Sequence, residues 1–137
     1  MILTATDEDT AVAVDVLPGQ AHDAPHLKPL LAATLARLPA VEEVVADKGF
    51  DGQPQRQACR QRGVTPQIPS RCNAREPQPL DAAAYRERNR VERLFAKLKQ
   101  FRRVATRYDK LKDTFRGVVH LALSFIRLRK LTFVNTT

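Results

Sequence analysis

Tyr85-Arg-Glu-Arg88-Asn89-Arg-Val91-Glu92-Arg93-Leu94-Phe95-Ala-Lys-Leu98-Lys99 contains neither Pro nor Gly and consists mostly of good helix formers, so it reads as helix. Val91, Leu94, Phe95 and Leu98 recur at i, i+3, i+4 and i+7, which gives one apolar stripe to bury. At about 100° per residue, Tyr85, Arg88, Glu92 and Lys99 fall within roughly 60° of one another. A carboxylate thus shares a face with two cations and a phenol, next to a face that must be buried. In an arbitrary helix, solvated i, i+4 ion pairs account for such a face.

The rest of the 137-residue chain is long enough for one domain with a sizeable core. Its charge is lopsided: residues 1–84 hold 8 Lys/Arg against 11 Asp/Glu, and residues 85–137 hold 15 against 4, so the net +8 comes wholly from the second part. A basic part on a mildly acidic chain points to a polyanion, with nucleic acid ahead of an anionic membrane surface because the cations are spread through amphipathic helices. No apolar run approaches the roughly 18 residues of a membrane span and no signal peptide opens the chain, so no membrane partner and a cytoplasmic location are expected. Cys59 and Cys72 lack Cys-x2-Cys spacing and read as reduced thiols.

Ile2–Thr6 and Ala11–Leu17 are β-rich runs around the polar turn Asp7-Glu8-Asp9-Thr10, which predicts an antiparallel hairpin. Pro18-Gly19 ends it. Asp23 is the predicted N-cap of a helix with Pro25 in its first turn, becoming regular near Pro29 and burying Leu27, Leu30, Leu31, Leu35 and Leu38. His22 and His26 are four apart but have no third ligand nearby, so no zinc site is read there. Val41–Ala46 is a short strand running into Asp47-Lys48-Gly49-Phe50-Asp51-Gly52. A carboxylate at a strand end before a glycine turn lies where ligands of open α/β sheets gather; a turn Asp serving local hydrogen bonds is the equal alternative on these residues. A helix over 54–62 stopped by Gly63, an edge strand over 64–68 containing Pro66, and a Pro-rich loop over 69–81 carrying Arg71 and Arg75 follow. The loop is either a mobile, DNA-facing element or a plain connector. Asp113 is the predicted cap of a last helix burying Phe115, Val118, Val119, Ala122, Leu123 and Ile126. The element order predicts an α/β sheet layered with helices.

The spacing Tyr85-x2-Arg88-x3-Glu92-x6-Lys99 resembles the Y-x2-R-x3-E-x6-K signature of bacterial insertion-sequence transposases of the DDE class. Arg88-Asn89-x-Val91-Glu92-Arg93-x-Phe95 and Ala105-Thr106-Arg107-Tyr108-Asp109-Lys110 are similar to that family as well. Ala46-Asp47-Lys48-Gly49-Phe50-Asp51 resembles its A-D-[RK]-G-Y-D segment, with Phe50 where Tyr is usual, and Gly19–Asp23 resembles a stretch that follows the hairpin. The resemblance implies an RNase H-like (retroviral-integrase-like) fold and Mg²⁺-dependent (or Mn²⁺-dependent) phosphoryl transfer that cleaves and joins insertion-sequence DNA. It implies that Asp47 and Glu92 are the second and third catalytic carboxylates and the metal ligands, whereas Asp51 is a neighbour and no ligand. It also implies DNA contacts from Tyr85, Arg88, Asn89, Arg93, Lys99, Arg102, Arg103 and Arg107, with Arg88 and Lys99 at phosphates and Tyr85 at a displaced nucleotide.

In that family the first carboxylate lies on a strand upstream of the hairpin, and Asp7, Asp9 and Asp15 belong to the hairpin itself. The expectation is therefore one partial catalytic domain over 1–137, N-terminally truncated and lacking the first strand. Its hairpin spans 1–17, the strand ending in Asp47 spans 41–47, the signature helix 82–103 and the C-terminal helix 113–130. An upstream segment would complete it, and the active form is expected to be a homo-oligomer on DNA, associated with the bacterial nucleoid. The alternative is a non-catalytic DNA-binding or inhibitory transposase fragment. A basic RNA-associated protein would explain the charge but not the carboxylate spacing.

Overall fold

The computed structural model describes residues 1–18 and 22–135, with side chains up to Lys130; Gly19, Gln20 and Ala21 of the expected post-hairpin similarity lie outside the described residues. The fold is mixed α/β, with two small sheets of two strands each. Contacts divide the chain into two compact units, residues 1–19 with 89–137, and residues 20–88.

The first unit opens with an antiparallel hairpin, β1 (Ile2–Asp7) and β2 (Thr10–Asp15), in which Leu3 faces Val14 and Asp7 faces Thr10. The expected four-residue turn is tighter, leaving Glu8-Asp9 at the tip. Its cause is local: Asp9 N donates to Asp7 Oδ1 at 2.8 Å and Thr10 Oγ1 donates to Asp7 Oδ2 at 3.1 Å, so Asp7 closes the turn from inside the strand. Three helices complete the unit, α4 (Arg88–Lys99, whose first residue falls in the other unit), α5 (Arg102–Ala105) and α6 (Lys112–Asn135). Their apolar stripes meet the hairpin in one core of Leu3, Val16, Leu94, Leu98, Val104, Phe115, Val119, Ala122, Leu123 and Ile126. Asp113 is not the cap of α6 but sits in its first turn, where a carboxylate still favours the helix dipole.

α5 ends in a Schellman turn: Arg107 N donates to Val104 O and Tyr108 N to Arg103 O, both at 3.2 Å. The left-handed residue there is Arg107, with φ +46°, where glycine is usual. Its side chain holds the strained backbone in place, with Nη1 donating to Leu17 O at 3.0 Å and the guanidinium stacked 5.0 Å from the Phe115 ring centre.

The second unit contains α1 (Leu27–Arg37), entered through a 3₁₀ turn over Ala24–His26, so that Pro29 falls in the first helical turn, where it is tolerated. β3 (Glu43–Val45), α2 (Gln53–Gln61) and β4 (Thr65–Gln67) form a parallel β–α–β arrangement in register Glu43↔Thr65, Val44↔Pro66 and Val45↔Gln67. Both strands are shorter than expected. α2 closes on Gly63, φ +72°, with Gly63 N donating to Arg60 O and Val64 N to Cys59 O, both at 3.0 Å. Leu27, Leu31, Cys59 and Val64 form the core, with Leu35, Val41, Val44 and Phe50 packed against it. α3 (Ala82–Arg86) ends the unit.

The signature helix expected over 82–103 is thus three pieces. Glu87 N donates to Ala84 O at 3.1 Å, a 3₁₀-type bond that separates α3 from α4. Gln100 N to Lys97 O and Phe101 N to Leu98 O, at 3.2 and 3.0 Å, end α4 in the same way. The shared-face argument therefore holds for Arg88, Glu92 and Lys99 on α4, while Tyr85 belongs to α3.

Candidate active site

Asp47 follows β3 and caps the 3₁₀ turn over Lys48–Phe50. Its extended backbone (φ −76°, ψ 170°) lets Oδ1 accept the Gly49 N–H at 2.8 Å, while Phe50 N donates to Asp47 O at 3.0 Å. A Cβ on residue 49 would stand 2.9 Å from Asp47 Oδ1, so glycine there leaves the carboxylate its place. The turn reading of Asp47 is realised, with a turn bond fixing one oxygen, and the carboxylate stays half exposed. Its other oxygen, Oδ2, lies 3.6 Å from Arg88 Nη2. The structure thereby joins the segment Asp47–Asp51 to the first residue of α4, some forty positions later in the chain.

Asp51, four residues on, does different work. Oδ1 accepts from Arg56 Nε and Nη2 at 3.1 and 2.9 Å, and Oδ2 accepts from Arg71 N at 2.8 Å. Arg56 is almost wholly buried (side chain 2% exposed) and its Nη2 also donates to Ile68 O at 2.7 Å. Burial opposes ionisation of Asp51, but the Arg71 N–H and the Arg56 guanidinium outweigh it and hold the carboxyl below the usual Asp value. Asp51 is therefore a structural anchor that ties α2, the end of β4 and the loop over 69–81 to the turn carrying Asp47.

The loop over 69–81 is tied down further along. Gln78 N donates to Ser70 Oγ at 2.8 Å, and Arg60 Nη2 to Gln78 Oε1 at 3.1 Å. At its end, buried Gln67 accepts from Asp81 N at 2.9 Å while its Nε2 donates to Glu43 Oε2 at 3.0 Å. Asp81 in turn caps α3, taking the N–H groups of Ala83 and Ala84. Tyr85, half-buried, stands one turn into that helix. Gln67, Asp81 and Arg56 escape a motif reading. A signal for Asp81 was present in the Asp-Ala-Ala-Ala run that opens a helix, and for Arg56 in its i, i+3 spacing from Cys59.

Glu92 lies exposed on α4, one turn beyond Arg88, and Lys99 is exposed at the end of that helix. The remaining expected DNA-contacting residues sort by what they already hold. Asn89 and Arg102 are exposed. Arg93 Nη1 donates to Glu8 Oε2 at 3.1 Å. Arg103 pairs with Asp109 through Nε and Nη2 at 3.1 and 2.7 Å, which raises its pKa further, and stacks on Tyr108. Arg107 serves Leu17 and Phe115 as described.

A hard divalent cation takes carboxylate oxygens and retained waters, and Asp47 and Glu92 are donors of that type. Among the described residues no group of three or more His, Cys, Asp or Glu side chains converges as a metal site, His22 and His26 included. Nor, among those residues, is any helix long and apolar enough to cross a membrane.

Comparison with known proteins agrees with the motifs. The family model described as "Transposase DDE domain" matches residues 44–129, a span that begins at β3 and includes Asp47, Arg88 and Glu92. A Brucella ovis protein named "Putative transposase for insertion sequence element IS6501" is 34% identical over 113 residues, covering 82% of this chain and 84% of its own. No solved structure matches the chain. On the span of the domain match and the extent of this identity, the chain belongs to the DDE transposase family.

Proposed function

We propose that this chain carries an RNase H-like transposase catalytic fold and takes part in cleaving and joining insertion-sequence DNA. The observation that carries the reading is the approach of Arg88 to the fixed, half-exposed carboxylate of Asp47, which joins the two segments that the family motif requires. Asp47 and Glu92 would be carboxylate ligands of Mg²⁺ or Mn²⁺. When bound, the metal would activate the attacking hydroxyl and stabilise the leaving oxygen. The chain's own part is to present Asp47 on a rigid cap and to balance its charge with Arg88. Arg88 and Lys99 would bind backbone phosphates, and Tyr85 would stack on a displaced base. The active form would be a homo-oligomer on DNA.

The test is strand transfer by the protein that carries this chain. Asp47→Asn and Glu92→Gln should each abolish joining of labelled insertion-sequence ends while leaving salt-sensitive DNA binding within about twofold. Persistence of joining in both variants would refute the assignment. The second reading is a non-catalytic DNA-binding or inhibitory fragment, in keeping with the 15 Lys/Arg against 4 Asp/Glu of residues 85–137. It predicts DNA binding with no metal-dependent joining.

A further inference from the structure

The hairpin tip Asp7-Glu8-Asp9 is a run of three carboxylates in the first unit, and it is partly covered. Four basic side chains from two helices surround it. From α4, Arg93 reaches Glu8 at 3.1 Å, and Lys97 Nζ bonds Asp9 Oδ1 and lies 3.9 Å from Glu8 Oε1. From α6, Lys130 lies 3.4 Å from Asp7 Oδ2 and 4.0 Å from Asp9 Oδ2, and Arg127 Nη1 donates to Thr10 Oγ1 at 2.9 Å. The partners are 85 or more residues apart in sequence, so this is tertiary packing and not a helix-surface pairing.

Three of these cations hold the carboxylates of the tip and the fourth, Arg127, holds the adjoining Thr10 hydroxyl, so a basic patch carries anionic oxygens within a few ångströms of its charges. That is the arrangement a run of backbone phosphates presents. We infer that Arg93, Lys97, Arg127 and Lys130 make a phosphate-binding seat for DNA, and that the tip of the β1–β2 hairpin occupies it as an internal stand-in which DNA must displace. The inference rests on the reading of this chain as a DNA-binding protein.

The tip is suited to leaving. The side chains of Arg93, Glu8, Lys97 and Lys130 are each more than a third exposed, so water weakens their attraction and salt screens it. Asp7 is different: its carboxylate closes the turn through the Asp9 N–H and the Thr10 hydroxyl. Burial works against its charge, but those bonds together with Lys130 keep its pKa below the ordinary Asp value. The tip can therefore swing off as a preformed turn without unmaking the β1–β2 ladder.

The experiment compares salt dependence of binding to a short DNA duplex for three proteins. One is the wild type. The second is Glu8→Gln/Asp9→Asn, which removes the two tip carboxylates facing Arg93 and Lys97 and keeps Asp7. The third, a control of equal net charge, is Glu42→Gln/Glu76→Gln, which neutralises two exposed carboxylates of the other unit. Each phosphate newly engaged steepens the slope of log K against log salt by about 0.9. The tip variant should therefore be steeper than the control by about 1.8, and adding Arg93→Gln and Lys97→Gln to it should remove the gain. Equal slopes for tip variant and control, with both binding DNA, would overturn the seat and leave DNA binding standing. No salt-sensitive binding by any of the three would overturn the DNA reading, and the seat with it.

Discussion

Asp51→Ala should be the most destabilising single substitution near the candidate site, although Asp51 touches no substrate in the proposed chemistry. The change removes the acceptor of three hydrogen bonds and strands the Arg56 guanidinium, 2% exposed, with Ile68 O as its one remaining partner described above. At 2.9 Å and an effective dielectric constant of about 20, the pair's Coulomb attraction is about 6 kcal/mol. Desolvation of both ions offsets much of it, and deleting one member of a buried pair costs about 3–5 kcal/mol. A whole domain is stable by only about 5–15 kcal/mol, so the unit over residues 20–88 should lose most of its stability. Asp51→Ala/Arg56→Met is the informative partner, since it leaves no buried charge and should lose only about 1–3 kcal/mol, chiefly the unpaired Ile68 carbonyl. Urea unfolding followed by circular dichroism measures all three differences. The pH dependence adds a sign. With its folded pKa depressed, Asp51 stabilises fully above its unfolded value, and that contribution is lost as pH falls through the folded one. The wild type should therefore lose more stability on acidification than Asp51→Ala does, while the similarly depressed Asp7 keeps some acid sensitivity in both. A loss below about 1 kcal/mol for Asp51→Ala, or a double variant weaker than the single, would refute the argument.

Gly49→Ala should shift stability by less than about 1 kcal/mol yet cut the proposed strand joining at least tenfold, because the new methyl would displace Asp47 Oδ1 from its cap; joining at the wild-type rate would show that the cap does not position the carboxylate. Gln67→Leu should leave the Asp81 N–H and Glu43 without their bonds at a cost of about 1–3 kcal/mol. Hydrogen exchange should then quicken at the amides of Ala83–Arg86 and not in α1. Maleimide should modify exposed Cys72 in the native protein and reach Cys59 only on unfolding, since Cys59 is buried and burial raises its thiol pKa against the pull of Arg56 and Arg60; mass spectrometry of the labelled protein reads both sites.

What the sequence made legible was local or periodic. The hairpin followed from alternation around a polar turn, α6 from its stripe, and the end of α2 from Gly63, because in each case the deciding interactions lie within a few residues. Resemblance to the family's motifs, and not spacing alone, made Asp47 and Glu92 the candidate carboxylates. Breaks in the signature helix were not legible, since no Pro or Gly marks Glu87 and the 3₁₀ bonds there depend on how each piece packs. The two aspartates of Asp47-Lys48-Gly49-Phe50-Asp51 show where motif reading stops and geometry begins. Both stand in a glycine turn, both accept a backbone N–H, and both lie near an arginine. What separates them is the arginine's environment. Arg56 is enclosed by α2 and the end of β4, so Asp51 is consumed in compensating a charge that has no water. Arg88 is about a third exposed on a helix end, so its pairing with Asp47 is weak enough to be exchanged for a metal ion or a phosphate. Burial of the cationic partner, which depends on residues far along the chain, is therefore what makes one carboxylate structural and leaves the other available for chemistry.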